Sequence, residues 1–230
     1  MSRTVVVTGG TKGIGKAVAD RFSAAGDRVD APGRDELDVT DEAVVERFFE
    51  SLGRVDVLVL NAGVASGAPL ASTTLDDWRA HFDVNATGAF LCTRAVVSGM
   101  IERGDGRIVT VASTAGLAGV RYTAAYAASK HAAVGLMRAT AAEVAGTGVT
   151  ANAVCPAWVR TDMTRRTVEN IVAKTGRTAD EAESELEAMT PLGRLLEPDE
   201  VAAAVVFLAS PGAGAINGQT LLLDGGGLQA

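Results

Sequence analysis

The sequence predicts an α/β fold, a doubly wound parallel sheet in a single domain spanning 1–230. Three observations predict it. Short apolar or β-branched runs alternate with helical segments to the end of the chain, which calls for parallel strands with helices on both faces. The first such run leads directly into a glycine-rich turn and a helix. Finally, Gly9, Asn61, Ser113 and Pro156 each lie just past a predicted strand, at the sheet end where folds of this class bind ligands. At 230 residues and 47% hydrophobic content, the chain can bury a sizeable core.

The elements follow in order. Thr4-Val5-Val6-Val7-Thr8 reads as a buried strand. Gly9-Gly10-Thr11-Lys12-Gly13-Ile14-Gly15 is the glycine turn, and Lys16 to Phe22 carries apolar residues at helical spacing. Glycines there let the chain turn tightly and bring an anion such as a pyrophosphate close to free helix N–H groups. Arg28 to Ala31 is a weak second strand, Glu42 to Ser51 a helix, and Val55 to Leu60 a strand. A long helix is expected from near Leu75 to about Arg103, with Ile108 to Ala112 counted as a fifth strand. Tyr122 to Ala145 is helical and Val149 to Val154 extended. Asp162 to Pro191 is more polar and is expected to form one or two short helices. Pro198 to Leu208 opens with Pro-Asp-Glu, a good helix start, and Thr220 to Leu223 is the last strand.

Tyr126 and Lys130 stand four apart in a helical run, so they share one helix face. An ammonium beside a phenol favours the phenolate and makes the tyrosine a usable acid or base. Cys92 and Cys155 have no metal-ligand or redox spacing and read as buried free thiols in a reducing cytoplasm. His81 and His131 stand far apart and read as structural or surface residues, and no catalytic metal is expected. A net charge of -7 argues against nucleic acid or an anionic membrane as the main partner. The first strand starts almost at Met1, leaving no room for a signal peptide, and no apolar run looks long enough to span a bilayer.

The Gly-x-x-x-Gly-x-Gly spacing and Tyr-x-x-x-Lys together resemble the short-chain dehydrogenase/reductase family. The likeness runs along nearly the whole chain, through Thr8 to Gly15, Asp38-Val39, Asn61-Ala62-Gly63, Asn85, Ser113, Tyr126, Lys130, Pro156 through Thr161, Gly218-Gln219-Thr220 and Asp224-Gly225-Gly226. It implies a Rossmann-like domain that moves hydride between a nicotinamide cofactor and a ketone or secondary alcohol. It implies Asn85, Ser113, Tyr126 and Lys130 as the catalytic set. Ser113 and Tyr126 would stabilise the carbonyl oxygen. Lys130 would hold the nicotinamide ribose and lower the Tyr126 pKa, and Asn85 would hold a water that links Lys130 to solvent. Cofactor binding would fall to Gly9, Thr11, Lys12, Gly13, Ile14, Gly15, Arg34, Asp38, Val39, Asn61, Ala62, Gly63, Tyr126, Lys130, Pro156, Ala157, Val159 and Thr161. Ala157 replaces a usual glycine, which costs energy only if that position needs positive φ.

Family members usually carry a helix between the second and third strands. Pro32 to Val39 leaves no room for it, so the sheet edge and adenine end should be exposed. Gly33 falls at the tip of the second strand, followed by Arg34, and Lys12 is a second cation within reach. Both suit a 2′-phosphate, so NADP(H) is expected over NAD(H). Asp30 is the counterargument, since the shortened loop could bring it or Asp35 near the ribose. Residues 162–191 are expected to act as a substrate lid. Thr190-Pro191-Leu192-Gly193-Arg194 and the C-terminal motif are most like 3-oxoacyl thioester reductases, with Arg121, Arg160, Arg165 and Arg166 as candidates to meet a CoA or carrier-protein phosphate. The alternatives are a dehydrogenase of small, cyclic, sugar or steroid alcohols, with Trp158 and Tyr122 near the pocket, and a cofactor-binding sensor without catalysis. The small-residue helix around Ala124 to Gly135 and the long helix from Leu75 resemble a homotetramer interface.

Overall fold

The computed structural model describes residues 2–228, so Met1, Gln229 and Ala230 of the expected 1–230 domain lie outside the described residues. Six strands form: β1 (Thr4–Val7), β2 (Arg28–Asp30), β3 (Val57–Leu60), β4 (Gly106–Val111), β5 (Val149–Pro156) and β6 (Thr220–Leu223). The helices are α1 (Gly13–Ala24), α2 (Glu42–Leu52), α3 (Leu75–Phe82), α4 (Gly88–Arg103), α5 (Ala124–Glu143), α6 (Asp162–Thr175), α7 (Ala179–Glu187) and α8 (Pro198–Leu208). All strand pairs are parallel, in the order β2-β1-β3-β4-β5-β6. The chain runs outward from β1 to β2 and returns across β1 to β3. That reversal opens a crevice at the carboxyl ends of β1 and β3.

Period-two side-chain placement explains why the strands are apolar throughout. Val5, Val7, Val57, Val59, Val109 and Val111 pack on one face, against α1 and α8. Val6, Leu58, Leu60 and Ile108 pack on the other, against α2, α4 and α5. Helix starts are set by side chains where the sequence offers them. Asp41 accepts from the Val44 N–H at 3.0 Å, and Thr74 with Asp77 forms a capping box. At α1 the N-cap is Lys12, which supplies no side-chain cap, so the first N–H groups face the crevice side uncovered.

Three expectations need correction. First, the strand at Ile108 to Ala112, expected as the fifth, is the fourth, Gly106–Val111. Residues 31–41 form an irregular segment with a turn and no helix, in keeping with the lack of room read from Pro32 to Val39. The shortened segment is held by its own polar groups: Glu36 accepts from the Gly33 N–H at 3.0 Å, and Asp38 accepts from Thr40. Second, the helix expected from Leu75 to Arg103 is continuous but not uniform. It passes through a π segment, Asp83–Thr87, that contains Asn85. Third, one 18-residue stretch of this 29-residue helix reaches a mean hydropathy of 1.2, so by length and composition alone it could cross a membrane, where no such run was expected. Its apolar character reflects packing, since Ala89, Leu91, Cys92, Val96 and Met100 are buried against the sheet.

Candidate active site

The glycine loop is shaped from below by Asn61. Its side-chain amide donates to the carbonyls of Thr8 and Gly9, both at 3.0 Å. Thr8 Oγ1 in turn accepts from the N–H groups of Asn61 and Ala62, at 3.0 Å each. Gly9 sits at φ +63°, and a methyl group on Gly15 would stand 2.4 Å from Asn61 Nδ2 and 2.5 Å from the Gly9 oxygen. Glycine is therefore required by conformation at one position and by space at the other. Asn61, expected to bind cofactor, has its amide turned into the protein. Its side chain shapes the loop. Across the crevice Thr161 caps α6 through the Thr164 N–H, and its methyl group lies 3.3 Å from where a Gly13 side chain would begin. Ala157 does not have positive φ, so it adds only a methyl group there.

The second cluster lies at the ends of β4 and β5. Ser113 follows β4 in extended backbone and accepts from the Ala115 N–H at 3.1 Å. Tyr126 is half-buried on α5. Burial pushes its pKa up, an interaction with the Ser113 hydroxyl pulls it down, and the Cys155 thiol adds to the rise. Lys130 is buried, and its Nζ donates to the Val111 carbonyl at 2.9 Å while lying 5.9 Å from the Tyr126 ring centre. Burial lowers the Lys130 pKa to about 8, against a smaller upward pull from Cys155. The expected lowering of Tyr126 by Lys130 is not among the influences on the phenol in the protein alone. Desolvation of the phenol dominates, and the ammonium aims at a carbonyl and not at the phenol oxygen.

Asn85 is buried, with both ends of its amide engaged. Oδ1 accepts from the Val64 N–H at 2.8 Å, and Nδ2 donates to the Val64 carbonyl at 3.0 Å and to Ser129 Oγ at 2.9 Å. Its side chain fixes the loop after β3. A small cavity lined by Thr8, Ala62, Asn85, Thr110, Val111 and Lys130 stands behind the ammonium. His81, read from the sequence as structural or surface, is buried beside Tyr126, with ring centres 6.2 Å apart. Nothing in its spacing pointed there. The π segment, which sets the rotation of the helix below Asn85, was not legible either.

At the far end of the crevice, Arg34 is exposed and lies 3.4 Å from Asp38. Lys12 and Thr11 are exposed on the glycine loop, Ile14 is half-buried and Val39 is buried. Asp30 ends β2 with a buried Oδ2 that has no hydrogen-bond partner and lies 3.6 Å from Arg28 Nε. Of the four arginines considered for a phosphate, two are engaged. Arg160 pairs with Glu183 at 2.6 Å and Glu197 at 3.1 Å, and Arg165 with Asp162 and Glu169. Among the described residues no cluster of three or more His, Cys, Asp or Glu side chains could hold a metal ion.

The sequence profile described as enoyl-(acyl carrier protein) reductase matches residues 27–227. An acetoacetyl-CoA reductase of Shinella zoogloeoides is 39% identical, with 98% of each chain aligned. Among solved structures, an actinorhodin polyketide ketoreductase variant with NADPH superposes at a TM-score of 0.89 and 36% identity, covering 98% of this chain and 97% of that one. Thermoplasma acidophilum aldohexose dehydrogenase, ligand-free, also gives a TM-score of 0.89, at 33% identity, covering 98% and 93%. Sequence profile, relatives and backbone agree, and the chain belongs to the short-chain dehydrogenase/reductase family.

Proposed function

We propose that this chain reduces the ketone of a 3-oxoacyl thioester to a secondary alcohol with NADP(H), using Tyr126 as the proton donor. One observation carries the reading: Tyr126, Ser113 and Lys130 converge where β4 and β5 end, where burial pushes the phenol's pKa up. A protonated phenol is the form that can give a proton to a carbonyl oxygen. Ser113 and Tyr126 meet that oxygen as it gains negative charge. Buried Lys130 lines a small, mostly apolar cavity together with Thr8, Asn85 and Thr110.

The residues present fit a nicotinamide dinucleotide. Uncapped α1 N–H groups and a glycine surface that tolerates no side chain suit a pyrophosphate. The cofactor supplies the reducing equivalent. Arg34 and Lys12 would hold a 2′-phosphate, and Thr161 with the Val159 backbone the carboxamide. The orphaned Asp30 oxygen favours a second reading, NAD(H), because it suits a free ribose hydroxyl. Residues 162–191 act as the lid. Val168, Ala182 and Leu186 of this segment form a buried cluster with Leu195 just beyond it, and Lys174 reaches across to the Gly67 carbonyl at 3.3 Å. Arg121 and Arg166, free of ion pairs among the described residues, remain the candidates for a substrate phosphate. Acetoacetyl-CoA reductase and ketoreductase relatives support the thioester class, and the aldohexose dehydrogenase likeness keeps sugar alcohols as the alternative.

A homotetramer and a cytoplasmic location complete the proposal. Trp78, Phe90 and Ile101 are exposed along the long helix, and both cysteines are buried free thiols. Light scattering that gives a monomer mass would remove the tetramer. The function is tested by NADPH consumption with acetoacetyl-CoA, alongside NADH and Tyr126→Phe. Turnover should fall about a hundredfold or more in the variant, with cofactor binding retained. Binding without turnover of any ketone or alcohol would favour the sensor.

A further inference from the structure

His81 is a buried titratable side chain packed against the Tyr126 ring that the chemistry above does not use. Its Nδ1 lies 2.7 Å from the Asp77 carbonyl, which can only accept, so Nδ1 carries the proton. Its Nε2 lies 3.0 Å from the backbone N of Ser66, which can only donate, so Nε2 is the bare acceptor. The two contacts fix a single neutral tautomer. On one side the ring holds the loop that follows β3, two residues beyond the Val64 peptide that Asn85 clamps. On the other it packs edge-on against Tyr126, at 73° between planes.

We propose that His81 is a positioning residue that fixes the Gly63–Ala68 loop and the Tyr126 ring plane only while it is neutral. A proton on Nε2 would point a second donor at the Ser66 N–H, and the anchor would be lost. No titratable side chain stands on that loop. On the imidazole's own helix, Asp76, Asp77, Arg79 and Asp83 carry charge. Asp77 is the carboxylate that feels the ring, and it is already held by Thr74. From α5, Tyr126 faces the ring, with Lys130 beyond it.

As a claim about catalysis this rests on the reductase reading, so the test has readouts that need no turnover. Imidazole ¹⁵N shifts should report the Nδ1-protonated tautomer, and Ser66 amide exchange should be slow. His81→Leu keeps bulk but offers no acceptor. Its Ser66 amide should exchange faster, and kcat should fall about tenfold or more while the KM for NADPH stays unchanged. His81→Gln can place an amide oxygen near the Nε2 position. It should recover most of kcat. An Nε2-protonated tautomer, or His81→Leu with wild-type Ser66 exchange and kcat, overturns the proposal. If none of the three proteins turns over a ketone, the reductase reading fails, and tautomer and exchange alone decide the role of His81.

Discussion

Replacing Lys130 with methionine should change how stability depends on pH. Methionine matches the length of the stem and adds no charge. The Lys130 pKa is lowered from 10.5 to about 8 by burial. Because the folded value lies below the unfolded one, the unfolded chain binds more protons than the folded chain between these values. Wild-type stability therefore rises with pH across that window, and the variant lacks this contribution. Below about pH 8 the buried ammonium costs the fold about 3 kcal/mol, and about 2.5 kcal/mol of that is relieved between about pH 7 and pH 10. The wild type should gain that amount relative to Lys130→Met over the same interval, or roughly 5–10 °C in Tm. The constant loss of the bond to Val111 cancels in the comparison. Urea unfolding of both proteins at the two pH values measures it. A stability difference that does not change with pH would refute the assignment of Lys130 as a desolvated ammonium.

Three further outcomes are expected. Gly15→Ala should lower Tm by roughly 3–10 °C through overpacking of about 1–3 kcal/mol against Asn61 and the Gly9 carbonyl. It should also weaken cofactor binding in a fluorescence titration. Arg34→Ala should raise the KM for NADPH about tenfold and leave NADH nearly unchanged, whereas Asp30→Ala should weaken NADH use selectively; steady-state kinetics with both cofactors distinguishes them. Arg160→Ala should leave Tm within about 2 °C, since its ion pairs are exposed. Its thioester KM should rise as α7 loses its tether to the segment between β5 and α6, and a KM equal to wild type would detach this network from the lid.

Local pattern made much of the fold legible. Pro198–Leu208 and Thr220–Leu223 form with the bounds read from their cap and apolar run. The glycine spacing and the Tyr126–Lys130 interval located both halves of the crevice, because each is a short-range motif tied to one turn or one helix face. Residues 31–41 were harder. Asp38-Val39 matched a family marker, but a marker does not say whether its backbone pairs with a strand. That depends on a neighbour across the sheet.

The sequence by itself determined the alternation of elements, the faces they bury and the residue types that reach the sheet's carboxyl end, because periodicity and capping are local properties of the chain. Only the tertiary structure decided how those residues are used. It turned the Asn61 and Asn85 amides inward as clamps. It raised Tyr126 and lowered Lys130 through a shared desolvation, and it brought His81 against a tyrosine on another helix. Burial, hydrogen-bond partners and pKa depend on what packs around a group, and distant segments supply that packing.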